Sequence, residues 1–408
     1  MQEWRTYRIG DICKRVCSGG TPKSTEPSYY DGEIPWLNTK EINFNRISST
    51  EKHITQSGLD NSSAKWIDKN SVIVAMYGAT AAKVAINTIP LTTNQACCNL
   101  SIDETKADYR FVYYWLCSHY TELASLANGG AQQNLNAQQI KDFEIKLPEI
   151  QTQQKIADLL WSIDNKIICN KSINDNLEQQ AQALYKSWFV DFEPFCEGEF
   201  IESSLGSIPA GWKVGQLSDI CEIVGGGTPS KSHPEYYCKR GIAWITPKDL
   251  SVSKSKFSSR GSEDITSDGY KNSSAKLMPR GTVLFSSRAP IGYISIATNE
   301  ICTNQGFKSA VPGIAGTGYL YYFLQANTDK IESKASGSTF KEASGSLMKA
   351  LEVIIPADGI FNQFEAELAP ILNKQENIGS EIQTLTTLRD TLLPKLMSGE
   401  LKINEIDC

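Results

Sequence analysis

The chain has 408 residues, 40% of them hydrophobic, and a formal net charge of −6. That length exceeds one ordinary core and predicts at least two domains. No apolar run approaches the ~20 residues of a membrane helix, and the opening MQEWRTYRIGDI lacks the apolar stretch of a secretory signal, so neither a membrane protein nor a secreted one is expected.

The first elements form a mixed α/β globule. Trp4 and Ile9-Gly10-Asp11-Ile12-Cys13 precede a turn-forming stretch, Gly19-Gly20-Thr21-Pro22, that runs on to Tyr29-Tyr30. Trp36, Lys40-Glu41-Ile42 and Asn61-Ser62-Ser63-Ala64-Lys65 follow. Residues 71–76 read as a buried strand, Thr93-Asn94-Gln95 as a loop, and the aromatic run 109–117 as a short helix. Glu144-Ile145-Lys146 falls in a further predicted strand that ends at Pro148. From Gln151 to Phe189 there is neither proline nor glycine, and Ile156, Ile163, Asn170, Leu177 and Leu184 fall seven apart. That spacing predicts a long helix with an apolar seam facing a partner helix. Asn170 either fixes the register of that seam or sits on a solvated edge.

The order then repeats. Trp212, Ser218-Asp219-Ile220-Cys221, Gly226-Gly227-Thr228-Pro229, Trp244, Lys248-Asp249-Leu250, Asn272-Ser273-Ser274-Ala275-Lys276 and Thr303-Asn304-Gln305 recur about 208 residues later. Residues 282–285 and 319–324 answer the strand and the short helix. Ile371, Ile378, Leu385 and Leu392 form a second seven-residue series, with Leu368, Ile382 and Leu396 beside it and Gly379 within it. This is a tandem duplication. The expected fold is mixed α/β, with two globules, each followed by a long helix. The two helices are expected to pair as an antiparallel coiled coil with pseudo-twofold symmetry. Expected boundaries are 1–148 for globule one, 149–192 for helix one, 193–211 for a linker, 212–356 for globule two and 357–408 for helix two.

Charge is partitioned along the same lines. Residues 1–148 hold 15 basic and 15 acidic side chains, whereas 212–356 hold 17 and 12. The linker has four acids and no base. The eleven cysteines are scattered without C-x-x-C spacing, which predicts a reduced, cytoplasmic chain. His53, His119 and His233 lie far apart in sequence, so no metal site is expected.

The architecture and several motifs together resemble the specificity subunits of type I restriction-modification enzymes. The residues that carry the resemblance are Gly227-Thr228-Pro229-Ser230, Ser187-Trp188-Phe189-Val190-Asp191-Phe192, Glu202-Ser203 with Leu205-Gly206, Ile208-Pro209 and Gly211-Trp212, and the stretch from Leu392 to Leu401. The resemblance implies that each globule is a target recognition domain for one half of a bipartite sequence in double-stranded DNA. It implies that the helices space the halves and dock two adenine methyltransferase subunits, with restriction subunits joining that core. S-adenosylmethionine, ATP and magnesium would belong to those partners. The chain itself is expected to be non-catalytic, since no Asn-Pro-Pro-Tyr or Asp-Pro-Pro-Tyr tetrapeptide and no Gly-rich nucleotide loop is found.

Candidate DNA contacts follow from the repeat and its divergences. Gly20, Thr21 and Lys23, with Gly227, Thr228, Ser230 and Lys231, offer close backbone approach, hydroxyls and charge to phosphates, or form a simple turn. Lys40 and Lys248, and Lys65 and Lys276, are candidate phosphate contacts or solvated lysines. Trp36 and Trp244 are expected in the core rather than stacked on bases. Base reading is expected where the repeats diverge: Tyr77, Lys83, Gln132 and Gln133 in the first, Arg288 and Lys341 in the second. Three rival readings remain: a self-contained nuclease or methyltransferase, a coiled-coil scaffold bearing two protein-binding modules, and the recognition subunit of a methyltransferase-only system.

Overall fold

The computed structural model describes residues 4–127, 134–337 and 341–403. The chain divides into two compact units, one of Met1–Ile167 with Thr384–Cys408, the other of Ile168–Gln383. Each long helix is therefore shared between the units.

In the first unit the sheet comprises β1 (Cys13–Ser18), β2 (Asn45–Ile47), β3 (Val72–Ala75), β4 (Val84–Asn87) and β5 (Cys97–Ile102), in the spatial order β1-β5-β3-β4-β2. All neighbours are antiparallel except β4 and β2. Val72-Ile73-Val74-Ala75 is buried on both faces, which is why it reads as a continuous apolar run rather than an alternation. A smaller sheet sets Tyr30–Leu37 between Lys52–Ile54 and Thr92–Thr93. Helix α1 (Tyr109–Ser118) is capped by the Asp108 carboxylate and buries Phe111 through Leu116. Arg5–Arg8 pairs with Glu144–Leu147 and so joins the start of the globule to its end.

The second unit builds the same sheet from β6 (Cys221–Gly225), β7 (Phe257–Ser258), β8 (Val283–Ser287), β9 (Ile291–Ala297) and β10 (Lys308–Pro312). Their order is β6-β10-β8-β9-β7, again with one parallel pair at the end. Even short pairings recur. Trp36 and Leu37 face Thr92 and Thr93, while Trp244 and Ile245 face Cys302 and Thr303. Lys213–Gln216 pairs with Glu352–Ile355 as the first strand of the other globule does. The counterpart of α1 is α2 (Thr317–Ala326).

The first long helix, here HL1, spans Ile150–Phe189, and the second, HL2, spans Ile360–Ser398. HL2 runs unbroken through Pro370, Gly379 and Pro394, each unfavourable in an isolated helix by roughly 1–3 kcal/mol. Apolar packing of Leu368, Leu372 and Ile378 offsets that cost. In the second unit Asn170 bonds Glu381 and Gln375 bonds Glu178, so numbering rises on one helix as it falls on the other, an antiparallel pairing. Asn170 is 1% exposed and donates from Nδ2 to Glu381 Oε2 at 3.0 Å, so it lies in the seam and not on a solvated edge. Of the other seven-spaced positions, Ile156, Ile163 and Ile378 are buried, and Leu177, Leu184, Ile371, Leu385 and Leu392 are half-buried.

Each unit ties its globule to the helices through a tyrosine. Tyr114 of α1 donates to Asp164 at 2.6 Å, and Arg389 holds the other oxygen of Asp164 at 3.0 Å. In the second unit Tyr322 of α2 donates to Glu178 at 3.1 Å, and Lys256 contacts Glu178 at 2.6 Å, Tyr322 at 2.5 Å and Gln375 at 2.9 Å. Burial lowers the Lys256 ammonium pKa, and the Glu178 charge offsets part of that effect. Burial likewise pushes the Glu178 carboxyl up, but Lys256 and the amide hydrogen bonds outweigh it and leave it below the usual range.

Among the described residues no helix is long and apolar enough to cross a membrane, no group of side chains is arranged to hold a metal ion, and the cysteines are free. Burial pushes the Cys98 thiol up to about 12, which leaves it unreactive.

Candidate nucleic-acid interface

Three motifs that recur in the sequence meet in space. In the first unit Gly20 N donates to Thr93 O at 2.8 Å, and the Trp36 indole donates to Gly20 O at 2.9 Å. The Thr21 hydroxyl donates to Gln95 Oε1, and the Tyr30 hydroxyl to Pro22 O at 2.7 Å. The second unit repeats each bond: Gly227 N to Thr303 O at 2.8 Å, Trp244 to Gly227 O at 3.1 Å, Thr228 to Gln305, and Tyr237 to Pro229 O at 2.6 Å. The two turns are thus held by the same main-chain and side-chain partners.

The glycines have an internal reason to be glycines. A Cβ on Gly20 would lie 2.2 Å from Ala64 N, and one on Gly227 would lie 2.4 Å from Ala275 N. The close approach is therefore between the Gly-Gly-Thr-Pro turn and the Asn-Ser-Ser-Ala-Lys segment of the same globule, and both glycines are buried. Trp36 and Trp244 are 4% and 5% exposed and lie in the core, as expected.

The side chains around each cluster point outward. Thr21, Lys23, Lys40 and Lys65 are exposed in the first unit, and Ser230, Lys231, Lys248 and Lys276 in the second, where Thr228 is half-buried. None of these lysine ammonium groups takes part in an ion pair or hydrogen bond among the described residues. Lys40 sits in a turn capped by Asn38, and Lys248 in the short helix Pro247–Ser253, capped by Thr246. Ser230 shares a hydrogen bond with Ser232 at 2.7 Å.

The divergent positions also fall at matching places. Tyr77, 44% exposed, bridges to Asn134, and Arg288 bridges to Glu342. The Arg288 guanidinium lies 3.6 Å from the Glu342 carboxylate, which also accepts from Lys308 at 3.3 Å. Lys83 is half-buried and donates to Asn43 at 2.8 Å, and Lys341 is exposed beside Glu342. Gln132 and Gln133 lie outside the described residues. Sequence reasoning used Gln95 and Gln305 only as markers of the repeat. Both are exposed and held by the turn threonines. A polar residue carried unchanged in both copies of a surface motif was the signal available. Asn134 and Glu342 belong to stretches where the repeats diverge, and Lys308 carried no signal; only the fold brings Asn134 beside Tyr77, and Glu342 with Lys308 beside Arg288.

Fold and site together define a tandem-repeat α/β protein with two matched polar rims and two long helices. Residues 1–179 and 209–393 match the type I restriction modification DNA specificity domain. The chain belongs to the family of type I restriction-modification specificity subunits. It is similar to the MjaIX specificity subunit of Methanocaldococcus jannaschii, 27% identical over 99% of this chain and 95% of that protein. It is also similar to the HindI specificity subunit of Haemophilus influenzae, 24% identical over 98% of this chain and 100% of that protein. In fold it is similar to the S subunit of a type I system from M. genitalium, with a TM-score of 0.67, 17% identity and 96% of each chain covered.

Proposed function

We propose that the two globules each read one half of a bipartite sequence in duplex DNA, that the long helices fix the unread spacer, and that the same helices dock two adenine methyltransferase subunits to which restriction subunits add. The chain catalyses nothing itself in this reading. S-adenosylmethionine, ATP and magnesium are assigned to the partners, and the complex to the cytoplasm. The observation that carries the reading is a contrast. The two turns share the same four hydrogen bonds, yet at the diverging positions of the globules Tyr77 with Asn134 becomes Arg288 with Glu342. A common scaffold with unlike exposed side chains suits two readers of unlike half-sites. Arginine pairs bidentately with guanine, and the matched lysines suit phosphates, which carry no sequence information.

The test is to replace residues 1–148 with the recognition domain of a related subunit and to map methylated adenines. One half of the motif should change while the other half and the spacer persist. A change in both halves would refute independent reading. In the assembled methyltransferase complex, Lys65→Ala and Lys276→Ala should each flatten the plot of log K against log salt by about one unit, equally across sequences. Methylation or cleavage by the purified chain alone, with S-adenosylmethionine or magnesium supplied, would favour the enzyme reading instead.

A further inference from the structure

Part of the positive charge of the second globule is gathered around one surface recess. Strand Tyr237–Cys238 pairs antiparallel with Asp264–Ile265, and the loop that follows it is Lys239-Arg240-Gly241. Asp264 is 1% exposed, and its Oδ2 accepts from Gly241 N at 3.0 Å and from Arg260 Nη1 at 2.9 Å. The buried carboxylate therefore pins both the loop and the Arg260 guanidinium, and it neutralises one positive charge. The Lys239 and Arg240 side chains are exposed and make no hydrogen bond or ion pair among the described residues. Lys239, Arg240, Gly241 and Arg260 line a surface recess of about 680 Å³. Arg260 has further guanidinium N–H groups beyond the one that Asp264 takes.

The first globule has the same loop with the opposite charge. Gly32 lies against Ile54 O as Gly241 lies against Ile265 O, and Tyr30 reaches Pro22 as Tyr237 reaches Pro229. The loop there carries Asp31 and Glu33, both exposed, and is one residue shorter between the tyrosine and the core tryptophan. Matched backbone with inverted charge means that the fold does not require either sign. A recess lined by three cations and a glycine suits an oxyanion with several acceptors, and the phosphate backbone of duplex DNA supplies such groups in a row.

We infer that the Lys239–Arg240–Arg260 recess is a DNA phosphate-binding site of the second recognition unit that the first unit lacks. The inference rests on the DNA-reading function proposed above and adds an asymmetry to it: the second half-site is held by about two more backbone contacts than the first. The recess orients and anchors the duplex, and it reads no bases.

The test is a double variant, Lys239→Gln with Arg240→Gln, in the full chain assembled with its methyltransferase partners. Both side chains are exposed and the Asp264–Arg260 pair is retained, so the thermal transition should match wild type. Binding is measured from 0.05 to 0.3 M salt on two 40-base-pair duplexes, one with the mapped methylation motif and one without it. The log–log slope should flatten by about two units on both duplexes, with affinity at 0.1 M salt falling on the order of 10- to 100-fold. The methylated motif should be unchanged. A wild-type slope in the variant, with the wild-type complex binding normally, would overturn the phosphate site alone. A variant that methylates a different motif would also overturn it, because the recess would then read bases. Absence of salt-dependent DNA binding by the wild-type complex would overturn this inference together with the function it rests on.

Discussion

Gly227→Ala should open the second recognition cluster, and the cost can be worked from its contacts. The added methyl would lie 2.4 Å from Ala275 N and 2.4 Å from Ser274 C. Comfortable separation for such atoms is about 3.5–4.0 Å, so one segment must retreat by more than ~1 Å. Both neighbours are main chain, and overpacking of that kind costs about 1–3 kcal/mol. The shift also strains the bonds from Gly227 N to Thr303 O at 2.8 Å and from the buried Trp244 indole to Gly227 O at 3.1 Å. Leaving a buried donor unpaired adds about 1–3 kcal/mol. The total is about 2–6 kcal/mol, or a fall of roughly 1–3 M in the urea midpoint. Two residues earlier, a Cβ on Gly225 would meet only Lys308 Cδ, at 4.0 Å. Gly225→Ala should therefore be neutral or stabilising by up to about 1 kcal/mol. Urea titration of the full chain, with hydrogen exchange resolved by peptide so that each unit is followed separately, distinguishes the two. If Gly227→Ala and Gly225→Ala unfold the second unit at the same urea concentration, the glycine is not needed for internal packing and the argument fails.

Trp36→Phe keeps the core ring but removes the bond to Gly20 O, and should cost the first unit about 1 kcal/mol in the same titration. Lys256→Met leaves the Glu178 carboxylate without its cation. Because Glu178 is partly open to solvent, the expected loss is about 1–3 kcal/mol, confined to the second unit. The depressed Glu178 pKa implies stability that is fully present above the ordinary glutamate range and lost as pH falls through the lower folded value. Urea midpoints taken from pH 7 to pH 3 should show that loss in wild type and a flatter profile in Glu178→Gln.

The amino-acid sequence by itself determined the duplication, the identity of the main strands and helices, and the burial of Trp36 and Trp244. These are local or repetitive properties: apolar period, turn chemistry, and a motif order that recurs. It also placed Asn170 at a seam position, though whether that position is wet or dry depended on what faces it. Only the tertiary structure decided that question, by setting Glu381 opposite. It likewise decided that Gly20 and Gly227 press on their own globule, that HL2 continues through two prolines, and that Arg288 meets Glu342. The same holds for the Lys239–Arg260 recess, whose charge was legible only as a sum over the second globule. The partners in these contacts lie from about 20 to more than 200 residues apart in sequence. No local pattern encodes which distant segments meet; that is settled when the sheets pair and the globules close around their helices.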